Sequence, residues 1–201
     1  MTDDLKVRLT HHLETGTSAW TGEPIIRYPE DGCSVFLELL ERHKKVLNYE
    51  GVSLCFEAGT WNGCNAADFA AVFDRVISID INPNAIDLAM GAHGENKKIW
   101  FRVGNAPDAL RECLSESPDE RMVILLDDHS SHESNIKEEL EIIHEHSNVD
   151  HIIIVDDSDK LGIGTYPTYE TIESLVNQMD RGYEIIADPH HKLLIYVPVS
   201  G

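Results

Sequence analysis

CFEAGTWNG, residues 55–63, carries an apolar strand into Glu57 and then into a glycine turn, and Asp80 closes the next apolar run. A glycine at position 59 lets the backbone turn tightly beneath a ligand, and Gly63 lets the following helix begin close to it. Glu57 and Asp80 offer carboxylate acceptors, one suited to an amine and the other to ribose hydroxyls. The same letters also describe an ordinary strand–turn–helix junction. Two acids at the ends of adjacent apolar runs favour a pocket for a nucleotide-like cofactor.

Outward from this turn, strand and helix signals alternate. CSVFLELLERHKKVL (33–47) places apolar residues at Val35, Leu39, Leu40, Val46 and Leu47, the spacing of one amphipathic helix. SLCFEA, the helical NAADFAAVF, VISID, a helix opened by Asn82-Pro83, KIWFRV and the helical PDALRECL follow. MVILLD, a helix near NIKEELEIIHEH, HIIIVD, a helix around YETIESLVNQM with Pro167 as its opening, YEIIA and LLIYVPV complete the series. Nearly unbroken apolar strands imply a mostly parallel sheet covered on both faces. The last two runs have no helix between them and should form an antiparallel hairpin. The expected fold is therefore α/β and Rossmann-like, with seven strands and a C-terminal hairpin. Residues 1–32 form a polar N-terminal segment, a candidate lid, substrate contact or subunit contact, and residues 33–201 form the domain.

A chain of 201 residues can bury a full core in one domain. Its 36 acidic against 16 basic residues give a formal net charge of -20. Such a field repels nucleic acid and anionic membranes, so the expected partners are small neutral or cationic molecules. Whether the chain forms a homo-oligomer is left open by the sequence. Cys33, Cys55, Cys64 and Cys113 form no CxxC pair, which argues against a zinc knuckle or dithiol site. The polar stretch MTDDLKVRLTHH lacks a signal-peptide core, and no run reaches the ~18 apolar residues of a membrane span. A cytoplasmic location is the expectation.

A dinucleotide fingerprint would place a second glycine where Trp61 stands, and no phosphate-binding GxxxxGK string occurs. The turn thus favours a ligand without a pyrophosphate. EAGTWNG resembles the ExGTxxG motif of class I S-adenosylmethionine-dependent O-methyltransferases of the metal-dependent catechol and caffeoyl-CoA type. TGEPIIRYPED, LDDHSSHESNIKEEL and IIIVDDS extend the likeness towards the cephalosporin hydroxylase-like branch, which includes sugar O-methyltransferases. The resemblance implies that Glu57, Gly59, Thr60 and Gly63 line the methionine part of S-adenosylmethionine, with Asp80 at the ribose and Asn105 near adenine. Ala58 and Asp127 complete the cofactor-binding set. Asp156-Asp157 stands where that branch commonly has Glu-Asp.

VILLDD and IIIVDD each end a buried strand in two carboxylates, and ligands gather at the carboxyl ends of such strands. Three converging acids need a compensating cation, and oxygen ligands suit Mg²⁺, Mn²⁺ or Ca²⁺. Asp128, Asp156 and Asp157 are the expected ligands, with Asp127 the alternative first ligand. In the resembling enzymes the ion orients the acceptor hydroxyl beside the methyl donor. The lysine base of the catechol type is missing after the first acid pair, and His129 or His132 is the candidate replacement. Helix capping or solvent exposure is the competing reading of both. His190 and His191 read as exposed turn residues, Tyr166 and Tyr169 as packing at a helix start, and Trp20 and Trp61 as packing rather than stacking groups.

The sequence thus points to methyl transfer from S-adenosylmethionine to a hydroxyl of a small acceptor such as a sugar, catechol or polyketide-derived metabolite. A cofactor-binding module without turnover and an NAD-dependent oxidoreductase are the alternatives, the latter disfavoured by Trp61.

Overall fold

A computed structural model describes residues 35–47, 49–128, 133–188 and 192–198, all of them within the compact unit Ser34–Gly201. Its strands are β1 (Leu54–Ala58), β2 (Arg75–Asp80), β3 (Ile99–Val103), β4 (Met122–Leu126), β5 (Ile152–Val155), β6 (Glu184–Asp188) and β7 (Lys192–Tyr196). They form one sheet in the order β3-β2-β1-β4-β5-β7-β6. The first five strands are mutually parallel, while β7 runs antiparallel to both β5 and β6. This is the expected Rossmann-like sheet with its terminal hairpin.

The apolar runs are explained by burial on two faces. Every residue of β1, β4 and β5 is buried. Successive side chains go to opposite faces, as the period of a strand requires. Phe56, Ile124 and Ile153 join one core with Leu110, Leu140 and Ile172. Those three come from α5 (Ala106–Glu116), α6 (Ile136–His146) and α7 (Tyr169–Gln178). Cys55, Val123 and Ile154 join the other core with Phe36, Leu39 and Phe69, from α1 (Val35–Arg42) and α3 (Cys64–Val72). The outer strand β3 is covered less, and Trp100 and Val103 are exposed.

Two local expectations need correction. Within CSVFLELLERHKKVL the described residues form two helices, α1 and α2 (Lys44–Leu47), with His43 in a turn between them. The Val46 amide bonds the His43 carbonyl at 2.9 Å, a three-residue closure that tightens the chain there and leaves Val46 exposed while Leu47 is buried. The helix after LGIGTYP opens at Thr168 rather than Pro167, because the Thr168 hydroxyl caps the Thr171 amide at 3.2 Å. The other expected start holds: α4 (Pro83–His93) has Pro83 in its first turn, and Asn82 caps Asn84.

Strand order reverses between β1 and β4, since the chain moves outward through β2 and β3 and then crosses back. In an open parallel sheet this reversal opens a crevice at the carboxyl ends of the strands. The residues at those ends are Ala58, Asp80 and Leu126, each followed by a turn that builds the candidate site.

Candidate functional site

The turn after β1 is pinned from both sides. Gly59 donates its amide to Ile79 at 2.8 Å, and the Asp127 amide donates to the Ala58 carbonyl at 3.0 Å. Gly59 has φ +91°, and a side chain there would run into the Asp127 carbonyl oxygen. Gly63, at φ +79°, donates to the Thr60 carbonyl at 2.8 Å and begins α3. A Cβ at Gly63 would lie 2.8 Å from the Ala89 Cβ, so this glycine also permits α3 and α4 to approach. The glycines therefore serve backbone conformation and close packing together.

Glu57 is fully buried. Ser78 donates its hydroxyl to Glu57 Oε2. Since that uses the only Ser78 proton, Thr60 must donate to Ser78 across their 2.7 Å contact. Glu57 Oε1 has no hydrogen-bond partner among the described residues. Burial pushes the carboxyl up to about 8; Ser78 and Asn65 oppose the shift, while Asp80 and Asp68 reinforce it. A buried acceptor lacking a donor is costly, and a cationic N–H donor entering from the crevice would relieve that cost.

Asp80, half-exposed at the end of β2, accepts the Trp61 amide at Oδ2 (3.0 Å) and the Asn82 amide at Oδ1 (2.8 Å). These bonds fix the carboxylate while leaving each oxygen lone-pair capacity for hydroxyl donors. The Gly104 amide bonds the Asp80 carbonyl at 3.0 Å, which brings the turn carrying Asn105 beside this acid. Asn105 caps the start of α5 by position, and its amide reaches Asp108 at 3.3 Å. Trp61 is exposed, held at φ +47°. Ile81 is 70% exposed immediately after Asp80. An apolar side chain left in water beside an anchored acid suits the face of a flat base, and sequence reading did not single it out.

The acids are arranged differently from the expected ligand set. Asp127, Asp156 and Asp157 share one electrostatic neighbourhood, together with Glu57 and Lys192. Burial and then the Asp156 charge hold Asp127 well above the usual carboxylate range, against the opposing pull of Lys192. Lys192 forms an ion pair with Asp156, and Lys160 forms one with Asp157. Asp157 takes φ +49°, and its amide donates to Asp156 Oδ1. Asp128 instead accepts from Asn135 at 2.8 Å and raises the buried Glu139 of α6, whose own burial is the larger cause.

Asp156 and Asp157 are thus each paired with a lysine, while Asp128 bonds Asn135. Among the described residues no group of three His, Cys, Asp or Glu is placed to hold a metal ion. A divalent ion would have to displace two ammonium groups to reach Asp156 and Asp157, so this donor set does not fit one. Sequence reading missed Lys192 and Lys160. The available signal was a lone charge opening the otherwise apolar run KLLIY.

His129, His132, His190, His191, Trp20 and the N-terminal segment 1–32 lie outside the described residues. Tyr166 is buried in the core and Tyr169 is exposed. Burial and then Asp157, Asp127 and Asp156 raise the Tyr166 phenol, so it stands beside the acids. His151 is structural: its Nδ1 accepts the Met122 amide, its Nε2 meets Ser147 at 2.6 Å, and burial lowers it to about 4. No helix of the described residues is long and apolar enough to cross a membrane.

No protein-family model and no curated protein matches the sequence. Solved structures share the fold. A candidate caffeoyl-CoA O-methyltransferase from Staphylococcus aureus matches with TM-score 0.57 and 18% identity over 96% of this chain and 98% of its own. A methyltransferase from Geobacter sulfurreducens matches with TM-score 0.56 and 16% identity, covering 100% and 90% of the two chains. An rRNA methylase from Streptococcus thermophilus matches with TM-score 0.52 and 12% identity, covering 88% and 100%. The chain therefore has the Rossmann-like fold of these methyltransferases. Their different substrates show that the fold leaves the acceptor open.

Proposed function

We propose that this protein transfers a methyl group from S-adenosylmethionine to a hydroxyl of a small molecule. The observation that carries the reading is Glu57 Oε1, a buried acceptor with no donor among the described residues, at the foot of a glycine turn. The α-ammonium of the methionine part is a donor of the required charge. Asp80, already oriented by two amides, holds the ribose hydroxyls, while Ile81 and Asn105 flank the adenine. Thr60, Ala58, Gly59 and Gly63 shape the turn around the methionine part, and Asp127 borders it from β4.

The bound donor supplies an electrophilic methyl group on a sulfonium centre. The chain's work is to align an acceptor oxygen with that methyl group and to exclude water, an arrangement that lowers the barrier by several kcal/mol. His129 or His132 is proposed to take the hydroxyl proton. The net charge of -20 favours neutral or cationic acceptors. The divalent ion implied by the resemblance has no part in this reading, since the ammonium groups of Lys192 and Lys160 already engage Asp156 and Asp157.

Calorimetric titration with S-adenosylmethionine should show one site per chain. Glu57→Gln removes a charge-assisted contact of about 1.5–3 kcal/mol and should weaken that site about tenfold or more. Absence of binding to the unaltered protein would sink the proposal. Binding without a methylated product from any hydroxylated acceptor would favour the cofactor-binding module, and tighter binding of a nicotinamide dinucleotide would favour the oxidoreductase.

A further inference from the structure

Lys192 opens β7, and its ammonium pairs with Asp156 in a setting where both side chains are only 13% exposed. The same ammonium stands 5.2 Å from the centre of the Phe36 ring, a second stabilising contact for a cation. Lys160 adds a second positive charge at Asp157. Two lysines thus supply the same total charge as one divalent ion, at the position where the acids would otherwise repel each other.

We infer that Lys192 is a built-in cation standing in for the divalent ion, so that the crevice needs no metal. Its role is that of a positioning residue. Through Asp156 it holds the acid cluster together and sets a positive field beside the acceptor side of the crevice. The catalytic half of the inference rests on the methyl-transfer reading, whereas the exclusion of a divalent ion does not. Arginine can carry the same charge, but glutamine cannot. Removing the charge should take from Asp156 the ammonium that pairs with it and open it to a hard ion with oxygen preference.

The test is Mn²⁺ titration of the chelator-treated full chain, followed by electron paramagnetic resonance. The unaltered protein and Lys192→Arg should show no saturable site below the millimolar range. Lys192→Gln should acquire one, at least tenfold tighter, and Lys192→Gln combined with Asp156→Asn should lose it again. A saturable site in the unaltered protein that Asp156→Asn abolishes overturns the inference, as does a folded Lys192→Gln protein that gains none. The unaltered-protein titration decides the matter even if Lys192→Gln fails to fold, which circular dichroism reveals. Donor calorimetry on the same samples separates the two readings: loss of the methyl-transfer reading appears as absent donor binding, and loss of this inference appears as Mn²⁺ binding.

Discussion

Glu57 ties a stability contribution to the proposed donor site. Its carboxyl is raised to about 8 from an ordinary 4.5, chiefly by burial. The unfolded chain therefore releases this proton first, and the folded chain keeps it until a higher pH. Glu57 stabilises the fold fully below about pH 4.5 and loses that contribution as pH rises towards about 8. Glu57→Gln should flatten this part of the melting-temperature profile, while Asp127 and Glu139, shifted in the same direction, keep the remainder sloping. Donor affinity should move oppositely and rise as pH approaches about 8, then level off or fall as the donor's own α-ammonium, at about 7.7–8.0, loses its proton. Calorimetry across that range checks it, with Glu57→Gln as the reference that lacks the rising limb. Glu57 and Asp80 were legible in the sequence because each ends an apolar strand. Lys192 was not, because its partner Asp156 lies 36 positions away and only the antiparallel pairing of β5 with β7 brings them together.

At the level of elements, the turn joining β1 to α3 is held by geometry that admits glycine alone at position 59. Gly51 offers an internal comparison: its φ of +88° is nearly the same, yet nothing lies within 4 Å of an added Cβ. Gly51→Ala should cost about 1–2 kcal/mol for the left-handed backbone alone. Gly59→Ala carries that cost and also a collision with the Asp127 carbonyl, so urea unfolding should rank it as clearly the more damaging change. Equal losses would mean that the Asp127 segment simply moves aside. Strands β1, β4 and β5 were readable as unbroken apolar runs because both faces of each are covered. The break at His43 was not readable, since VFLELLERHKKVL keeps helical spacing across it and only the closing bond of Val46 marks the tighter turn.

Across the whole molecule, the net charge of -20 opposes compaction. Isolated surface pairs such as Arg102–Glu112 are too exposed to offset it. Added monovalent salt should therefore raise the melting temperature by a few degrees, as about 1 kcal/mol is worth roughly 2–4 °C at this size. A falling temperature would mean that ion pairs outweigh general repulsion. The strand alternation made the sheet class legible, but the acceptor was not, because the fold is shared by methyltransferases with unlike substrates. Finally, β7 comes latest along the chain among the strands and yet lies inside the sheet, between β5 and β6. During translation, a nascent polypeptide that has emerged only as far as β6 carries Asp127 and Asp156 without the ammonium that compensates them, and leaves β5 with one edge unpaired. Its sheet closes only once that strand leaves the ribosome, so the acid cluster assembles in one late step rather than progressively.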